Sequence, residues 1–545
     1  MNVVRSSAVI ASLTLVSRVF GLARDLVLAA ALGAGPVADA FTTALQLPNA
    51  FRRLFAEGAF SQAFIPYYAK TLAKDGPEAA DRLASQALSV LLPAVLIVTA
   101  LAALFAPQIN YLLFYGYRNN REIFDLATLL TRITMPYLAA MSLATLFGGL
   151  LNARGRFVLA AAAQSALNVT MLLALTPVLV RLLAPKAAGW LPDWSTREAS
   201  IVAAAAVTFA GGVQAALVWF GVRRQKVRLQ AGAPRFTPEV RHLLVLAVPG
   251  AIAGGAFQIN VLISQSLASL EVGAKTVLSY ADRLYQLPLA LVGIAIGVAM
   301  LPKLSRLVRS EDHVGARAAL DEAVALSLAF AAPASVAFLV APFWIIEAVF
   351  ARGAFSVEDA HATALALFHY AWGLPAFVLA KIYAPAFFAR GDTRTPMRFA
   401  LFSMALNISL GAALFFGLRS QGLPGFGGLA VATSLAAWLN VGLMVRTLAK
   451  QKAYAPSPAA LGRLARLLLA SAAMGAVVWV AQSQRGTIEA LLKGKEGSLA
   501  VVVVVGMLAF VAFAFAFQAV RLSELRAAFR RDRSAPDQST PPDPA

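Results

Sequence analysis

The stretch VVVVVGMLAFVAFAFAF, residues 501–517, contains no charged and no polar side chain. Apolar runs of about 20 residues, long enough for a helix to cross the hydrocarbon core of a bilayer, recur along the chain of 545 residues. The chain is 59% hydrophobic and 14% charged, whereas soluble domains are about 25% charged. Because the alternating short segments of a β-barrel do not appear, we predict an all-α polytopic membrane protein.

The apolar runs predict fourteen transmembrane helices, at 7–32, 38–69, 83–108, 123–152, 157–184, 199–222, 239–270, 275–306, 317–349, 358–389, 396–418, 425–449, 461–484 and 498–520. Of the 47 Lys and Arg residues, 29 fall in the N-terminus, the loops after even-numbered helices and the C-terminal tail, and 11 in the opposite loops. Positively charged loops face the cytoplasm, so both termini are predicted to be cytoplasmic. The net charge of +20 then reflects membrane topology, and we expect no nucleic-acid partner.

The sequence contains an internal repeat. Four short patterns recur in order at offsets between 236 and 243 residues, including Ala-Asp at 38–39 and 281–282, Ala-Arg-Gly at 153–155 and 389–391, and Ala-Leu-Asn at 166–168 and 405–407. Six helices separate equivalent positions, which predicts two six-helix lobes related by a parallel pseudo-two-fold repeat. The predicted domains are an N-lobe at 1–230, a C-lobe at 231–455, two further helices at 456–522 and a disordered tail at 523–545.

Seven basic residues fall within the predicted spans: Arg18, Arg24, Arg52, Arg53, Arg132, Arg283 and Lys381. Charge inside a bilayer is costly, so such residues face a partner or a wet cavity. The segment FRRLFAEGAFSQAFIP, residues 51–66, concentrates this charge. A guanidinium group can donate two hydrogen bonds to one phosphate, which favours a cationic cavity for an anionic substrate.

The acidic residues offer few partners for these arginines. Arg53 and Glu57 are four residues apart and can pair on one helix face. Asp25 and Asp282 each adjoin an arginine, but adjacent positions on a helix point in different directions. We therefore expect unneutralised charge on four arginines, namely Arg18, Arg24, Arg52 and Arg283.

The chain resembles the MurJ (MviN) family of bacterial lipid II flippases in four segments: SRVFGLARD (17–25), GAGPVADAF (33–41), LPNAFRRLFAEGAFSQAFIP (47–66) and YADRLYQLPLALVGIAIGVAMLPKLS (280–305). The resemblance implies fourteen helices in two lobes, with two additional C-terminal helices that line a groove for a lipid tail. It also implies a transporter of the multidrug/oligosaccharidyl-lipid/polysaccharide exporter superfamily in the bacterial inner membrane, and not an enzyme. The implied substrate is lipid II, the undecaprenyl-diphosphate-linked disaccharide-pentapeptide, which moves from the cytoplasmic to the periplasmic leaflet.

The resemblance further implies substrate-binding roles for Arg18, Arg24, Arg52 and Arg283, and gating or structural roles for Asp25, Asp39, Arg53 and Glu57. Our reading of the intramembrane charges adds Asp282 to the second set. Some relatives resemble sodium-coupled carriers with carboxylates in the second lobe. Here the tenth predicted helix carries Lys381, and the next two have no Asp or Glu, which argues against a sodium site. We expect no cofactor, no metal and a membrane potential as the driving force, with membrane lipids and the cell-wall synthesis machinery as candidate partners.

Four other functions remain open. A flippase for another polyprenyl-diphosphate glycan would use the same arginines, whereas a drug or cation antiporter of the same fold would require cavity carboxylates. A membrane-embedded glycosyltransferase or phosphatase would require a carboxylate pair, metal ligands or an activated nucleophile, and the sequence contains no such set. In a scaffold protein, the same charges would only pair internally.

Overall fold

The structure is a computed structural model that describes residues 3–51, 53, 60–230, 232–234, 236–492 and 494–519. The regular elements within these ranges are helices, which confirms the predicted all-α class. The helices follow the ranges that the apolar runs predicted, and most ends agree within a few residues. The helix Gly425–Lys450, for example, covers the predicted span 425–449.

The α-helices are numbered in chain order. Those in the first part of the chain are α1 (Val3–Leu32), α2 (Pro36–Phe51), α3 (Phe60–Leu104), α4 (Ala106–Leu113), α5 (Arg121–Thr134), α6 (Pro136–Ala153), α7 (Phe157–Ala163), α8 (Ala166–Ala174), α9 (Thr176–Leu183) and α10 (Thr196–Arg224). Those in the second part are α11 (Pro238–Ala268), α12 (Ala274–Arg309), α13 (His313–Val340), α14 (Pro342–Phe350), α15 (Val357–Ala371), α16 (Leu374–Phe388), α17 (Arg394–Ser420), α18 (Gly425–Lys450), α19 (Pro458–Ser483), α20 (Arg485–Leu491) and α21 (Lys495–Ala516).

Prolines explain why several apolar spans are divided into two helices. At five of these divisions a proline lies in the first turn of the second helix, at positions 107, 136, 177, 342 and 375, whereas the division between α7 and α8 has none. Proline lacks an amide hydrogen and fits the first helical turn, but it disrupts the hydrogen bonds of a helix interior. These five prolines therefore mark positions at which one helix ends and another begins.

A different break lies within α3. Gly76 has φ 84° and ψ 177°, and its positive φ is a conformation that glycine adopts more readily than other residues. Pro77 follows directly and favours a new helix start. This break separates the predicted spans 38–69 and 83–108.

Within the described residues, nine helical segments are long and apolar enough to cross a membrane. Helices α15 and α16, which meet at a bend of 41°, form a tenth if they are one span. The chain is thus a multi-pass membrane protein. The number of fourteen spans and the side on which each terminus lies stay predictions.

The chain packs as two compact units. Unit 1 comprises the described residues within 1–284, 349–366 and 401–436, and unit 2 comprises those within 285–348, 367–400 and 437–519. The predicted lobes at 1–230 and 231–455 stay a prediction.

The core of unit 1 depends on close packing of α10 against α6. A Cβ atom at Gly211 would lie 2.7 Å from the ring of Tyr137, and one at Gly221 would lie 2.9 Å from Leu151. Small residues allow helices in a membrane to approach closely, which strengthens dispersion contacts between them. Leu146 and Leu150 of α6 are fully buried in this core.

Part of the segment between α10 and α11 lies along α3, and we call its residues 228–230 and 232 the linker strap. Backbone amides of the strap donate hydrogen bonds to Asp81 Oδ2 (2.9 Å), Ser85 Oγ (3.1 Å) and Ser89 Oγ (3.0 Å). These acceptors are four residues apart and share one helix face. Arg154 pairs with Asp81 at 2.5 Å, which fixes the carboxylate beside the strap.

In unit 2, α19 packs on both α13 and α21. Gly475 of α19 allows this approach, since a Cβ atom there would lie 2.5 Å from Val336. Arg485 at the start of α20 pairs with Glu347 of α14 and with Glu489 at 2.7 Å. The additional C-terminal helices are therefore anchored by packing and by charge, while the lipid-tail groove stays a prediction.

Candidate functional site

Unit 1 contains a cavity of about 720 Å³. Side chains of α1, α2, α6, α10, α11 and α12 contribute to its wall. The charged residues that line it in the described part of the chain are Arg24, Asp25, Arg53 and Arg283. Three arginines and one aspartate leave a formal excess of two positive charges, so the cavity favours an anionic ligand.

Arg24 is held by two partners. Its Nη2 and Nε donate to Asp25 Oδ1 at 2.6 and 3.0 Å, and its Nη1 donates to Asn168 Oδ1 at 2.9 Å. Asn168 in turn donates to the backbone oxygen of Ser17 at 3.0 Å, which fixes the orientation of its amide. Arg24 therefore projects from α1 in a defined position.

The expectation that Arg24 and Arg283 are unneutralised was wrong. Asp25 accepts from Arg24 and also lies 3.4 Å from Arg283 Nε, so one carboxylate serves two arginines. Adjacent helix positions do diverge, but the long arginine side chain curves around the helix and reaches its neighbour. The arginines still outnumber the carboxylate, and the Arg283 side chain remains 47% exposed.

The other predicted residues fall into three groups. Arg53 is exposed and lines the cavity, whereas Arg18 is exposed on α1 but is not part of the cavity wall. Asp282 is partly buried beside Arg283 in α12. Arg52 and Glu57 lie outside the described residues, so the predicted pairing of Glu57 with Arg53 stays a prediction.

Asp39, predicted as a gating or structural charge, is fully buried. Its Oδ2 accepts from Tyr117 Oη (2.9 Å) and Gly273 N (2.8 Å), and its Oδ1 accepts from Thr276 N (2.9 Å) and Thr276 Oγ1 (2.7 Å). Gly273 and Thr276 lie at the N-terminus of α12, where amides lack intrahelical acceptors and the helix dipole favours a negative charge. Asp39 of α2 therefore caps α12 from another helix.

Lys275 was missed by the sequence reasoning, which assigned it to a loop. Its side chain is fully buried. Its Nζ donates to Gln46 Oε1 (3.3 Å) and to the backbone oxygen of Leu113 (3.2 Å), and it lies 5.4 Å from the ring centre of Phe114. The sequence offers one signal for Lys275. It lies at the start of the helix that contains the second Ala-Asp pattern.

Four glycines bring backbones into contact at the end of unit 1 where α1 ends, and we call this set the glycine closure. Cβ atoms at Gly33, Gly116, Gly273 and Gly353 would lie 2.5, 1.8, 2.2 and 2.4 Å from backbone oxygens of other segments. Ala354 N also donates to the oxygen of Ala30 at 2.7 Å. Side chains at these positions would separate the segments, so glycine is required for this close approach.

Glu271, in the loop between α11 and α12, ties a further helix to the same end. Its Oε2 accepts from the amide of Phe426 at the start of α18 (3.0 Å). Burial raises the pKa of the Glu271 carboxyl, although this hydrogen bond opposes the effect.

The comparisons with known proteins agree with this geometry. The family model described as lipid II flippase MurJ matches residues 28–491. The chain belongs to the MurJ family. A probable lipid II flippase MurJ of Rhizobium meliloti is 39% identical, with 98% of each chain covered. A lipid II flippase MurJ of Burkholderia cenocepacia is 32% identical over 84% of this chain and 86% of that protein.

Solved structures show the same fold. A MurJ structure in an inward closed conformation matches with a TM-score of 0.73 at 22% identity and covers 96% of this chain and 99% of that one. An inward-facing multidrug resistance transporter of the MATE family matches with a TM-score of 0.62 at 16% identity, over 82% of this chain and 99% of that one. The predicted resemblance to MurJ and the MATE-like fold are confirmed, and the MurJ family is one of transporters.

Proposed function

We propose that this chain flips lipid II from the cytoplasmic to the periplasmic leaflet of the bacterial inner membrane. One observation carries the proposal: a cavity inside an apolar helical unit is lined by Arg24 and Arg283, which share the single carboxylate of Asp25. Relatives with up to 39% identity over almost the whole chain are named lipid II flippases, which supports the same substrate here.

The diphosphate of the substrate binds by exchange with Asp25. Two guanidinium groups offer a bidentate site for phosphate oxygens. An arriving diphosphate brings more charge than the carboxylate that it displaces, while the apolar tail stays in lipid. At release Asp25 returns to the arginines, so the carboxylate acts as an internal competitor of the anion.

Alternating access requires the far end of unit 1 to open. Opening breaks the hydrogen bonds between Asp39 and the start of α12. It also separates the backbone segments that meet at the glycine closure. Three of the four hydrogen bonds to the Asp39 carboxylate come from the start of α12. They stabilise the closed arrangement by several kcal/mol, at about 1.5–3 kcal/mol for each bond to a charged group and less when they share an acceptor. Substrate binding must offset this free energy.

Membrane potential drives the cycle in this proposal. Both termini are cytoplasmic, and an inside-negative potential draws cationic side chains inward by about 2.3 kcal/mol per charge per 100 mV. The excess positive charge of the empty cavity therefore favours its return to the cytoplasmic side. Flipping in vesicles should slow when an ionophore collapses the potential, and an unchanged rate would refute this drive.

The decisive experiment replaces the lipid II flippase of a conditional bacterial strain with this chain. The intact chain should restore viability and the appearance of lipid II in the outer leaflet. Arg24→Ala should abolish both, because loss of one charged partner costs about 2–5 kcal/mol, or roughly thirtyfold to several thousandfold.

Arg132→Ala is the matched control. Arg132 is an exposed intramembrane arginine whose Nε donates to the oxygen of Ala103 outside the cavity wall, so its loss should leave flipping within about twofold. Rescue by Arg24→Ala at equal abundance would exclude the anion site. No rescue by a well-inserted intact chain would favour another polyprenyl-diphosphate glycan, or the antiporter function of the MATE fold.

A further inference from the structure

The wall of the cavity is rich in amides as well as arginines. Its carboxamide side chains are Gln46, Asn49, Asn152, Gln164, Gln214, Gln258 and Gln265. They come from several helices, among them α2, α6, α10 and α11, so no single local motif in the sequence identifies them. An amide carries both donors and acceptors but no charge, and it therefore suits neutral polar groups better than a diphosphate.

Three of these glutamines each have an amide atom that lacks a hydrogen-bond partner among the described residues: Gln46 Nε2, Gln214 Oε1 and Gln265 Oε1. Gln214 is only 3% exposed. Buried amide atoms without partners destabilise a fold, so almost all are satisfied in native structures. Three orphaned atoms around one cavity indicate that their partners arrive with a ligand.

Lys275 determines which end of Gln46 is available. An ammonium group only donates, so the amide group of Gln46 must present its oxygen to Lys275 Nζ, which lies 3.3 Å away. The NH₂ group of Gln46 is then the donor that remains. Lys275 is itself fixed by Leu113 and Phe114, so it acts as a positioning residue.

We propose that Gln46, Gln214 and Gln265 form an amide subsite that binds hydroxyl and N-acyl groups of the sugar–peptide headgroup, apart from the arginines that bind its diphosphate. The subsite rests on the proposed function. Water does not reach the orphaned atoms in this conformation, so their desolvation is already complete. A change of side-chain rotamer presents each amide to the headgroup, and the hydrogen bonds that form there replace none to water.

The test compares two lipids on the full-length chain in nanodiscs, lipid II and undecaprenyl diphosphate, with affinities measured by native mass spectrometry. The lipids share the diphosphate and the tail, and only lipid II carries sugars and a peptide. The intact chain should bind lipid II more tightly. Gln214→Leu and Gln265→Leu should each weaken lipid II binding by roughly three- to tenfold and leave undecaprenyl diphosphate within about twofold.

Two further variants test the positioning role of Lys275. Lys275→Met should weaken lipid II binding selectively, and Lys275→Arg should restore it, because arginine also donates to the Gln46 oxygen. If Lys275→Met does not accumulate, Gln46→Met combined with Lys275→Met removes the unpaired partner and tests the same subsite.

Gln421→Leu, at an exposed loop amide outside the cavity, should change neither affinity. Equal losses for both lipids in the Gln214 and Gln265 variants would overturn the subsite, and so would equal affinities of the intact chain for the two lipids. Binding of neither lipid by the intact chain would refute the proposed function itself and the subsite with it.

Discussion

Two asparagines 239 residues apart, Asn168 and Asn407, occupy equivalent positions of the predicted internal repeat but have different surroundings. Asn168 accepts from Arg24 and donates to the oxygen of Ser17. Asn407 donates to Asn260 Oδ1 at 3.2 Å and accepts from Thr433 Oγ1 at 3.2 Å. The first position orients a charge, and the second joins neutral side chains.

The sequence positions that surround these two asparagines also differ between the two copies. Asn260 lies 243 residues after Ser17, and at the same offset from Arg24 and Asp25 stand Leu267 and Ala268. The two copies thus share a polar anchor between helices, while the ion pair belongs to the first copy. The comparison indicates that the two copies of the predicted repeat share a polar frame, and that the Arg24–Asp25 pair lies in the first copy whereas Arg283, the second partner of Asp25, comes from the second.

Elsewhere the two copies agree. Asp81 accepts from the linker strap, and Asp321 accepts from Tyr454 Oη (2.8 Å) and Ser457 N (3.4 Å) in the segment that follows α18. Arg390, 236 residues after Arg154, donates to the oxygen of Ala453 in the same segment at 2.9 Å. These contacts hold the segments that follow α10 and α18 in place, so they are structural.

The largest effect should come from Asp25→Asn, which removes the charge that distinguishes the first copy. Without an internal competitor, the two arginines should hold undecaprenyl diphosphate about tenfold to hundredfold more tightly, and flipping should slow by a similar factor because release fails. Binding and flipping are measured on one preparation. Asp193→Asn, at an exposed aspartate, is the control, and weaker binding by Asp25→Asn would contradict the competitor role.

The second prediction compares two glycines with positive φ, one inside the glycine closure and one outside it. Gly273 and Gly391 have φ 78° and 76°, so alanine at either costs about 1–2 kcal/mol for the left-handed conformation. At Gly273 the new Cβ would also lie 2.2 Å from the oxygen of Ala34, whereas at Gly391 it would meet open space. Thermal unfolding in detergent should be lowered further by Gly273→Ala, and equal midpoints would contradict the glycine closure.

The third prediction compares the asparagines directly. Asn168→Ala removes the acceptor that orients Arg24 and should weaken undecaprenyl diphosphate binding roughly three- to tenfold, about the contribution of one hydrogen bond. Asn407→Ala should leave this affinity within about twofold, although it also loses hydrogen bonds. An equal loss of affinity in both variants would contradict the difference in role between the two asparagines.

The smallest effects should come from the contacts that hold the segments after α10 and α18 in place. Ser89→Ala removes the acceptor of the Gly232 amide, and Tyr454→Phe removes the hydroxyl that donates to Asp321. Each change should cost about 1 kcal/mol of stability and speed hydrogen exchange in its own segment only. Altered flipping by either variant would show that the segment does more than fasten the chain.

Sequence patterns predicted the helices well because the length of an apolar run is set by the bilayer, as α18 illustrates. They also identified Arg24 and Arg283 as cavity residues. The pairing of Arg24 with Asp25 was missed because helix geometry gives the direction in which a side chain leaves the backbone. It does not account for the length of an arginine side chain, which can curve back to its neighbour. Gln46, Gln214 and Lys275 belong to no local pattern, since tertiary packing alone brings their helices together.

The glycine closure has a consequence for the electrical integrity of the membrane. A carrier with a wet, charged interior becomes an ion leak whenever its far end admits water. Backbone oxygens within 2.5 Å of where a methyl group would stand leave no gap for a hydrated ion at those contacts. The protein can therefore keep a cationic cavity inside the membrane without dissipating the membrane potential.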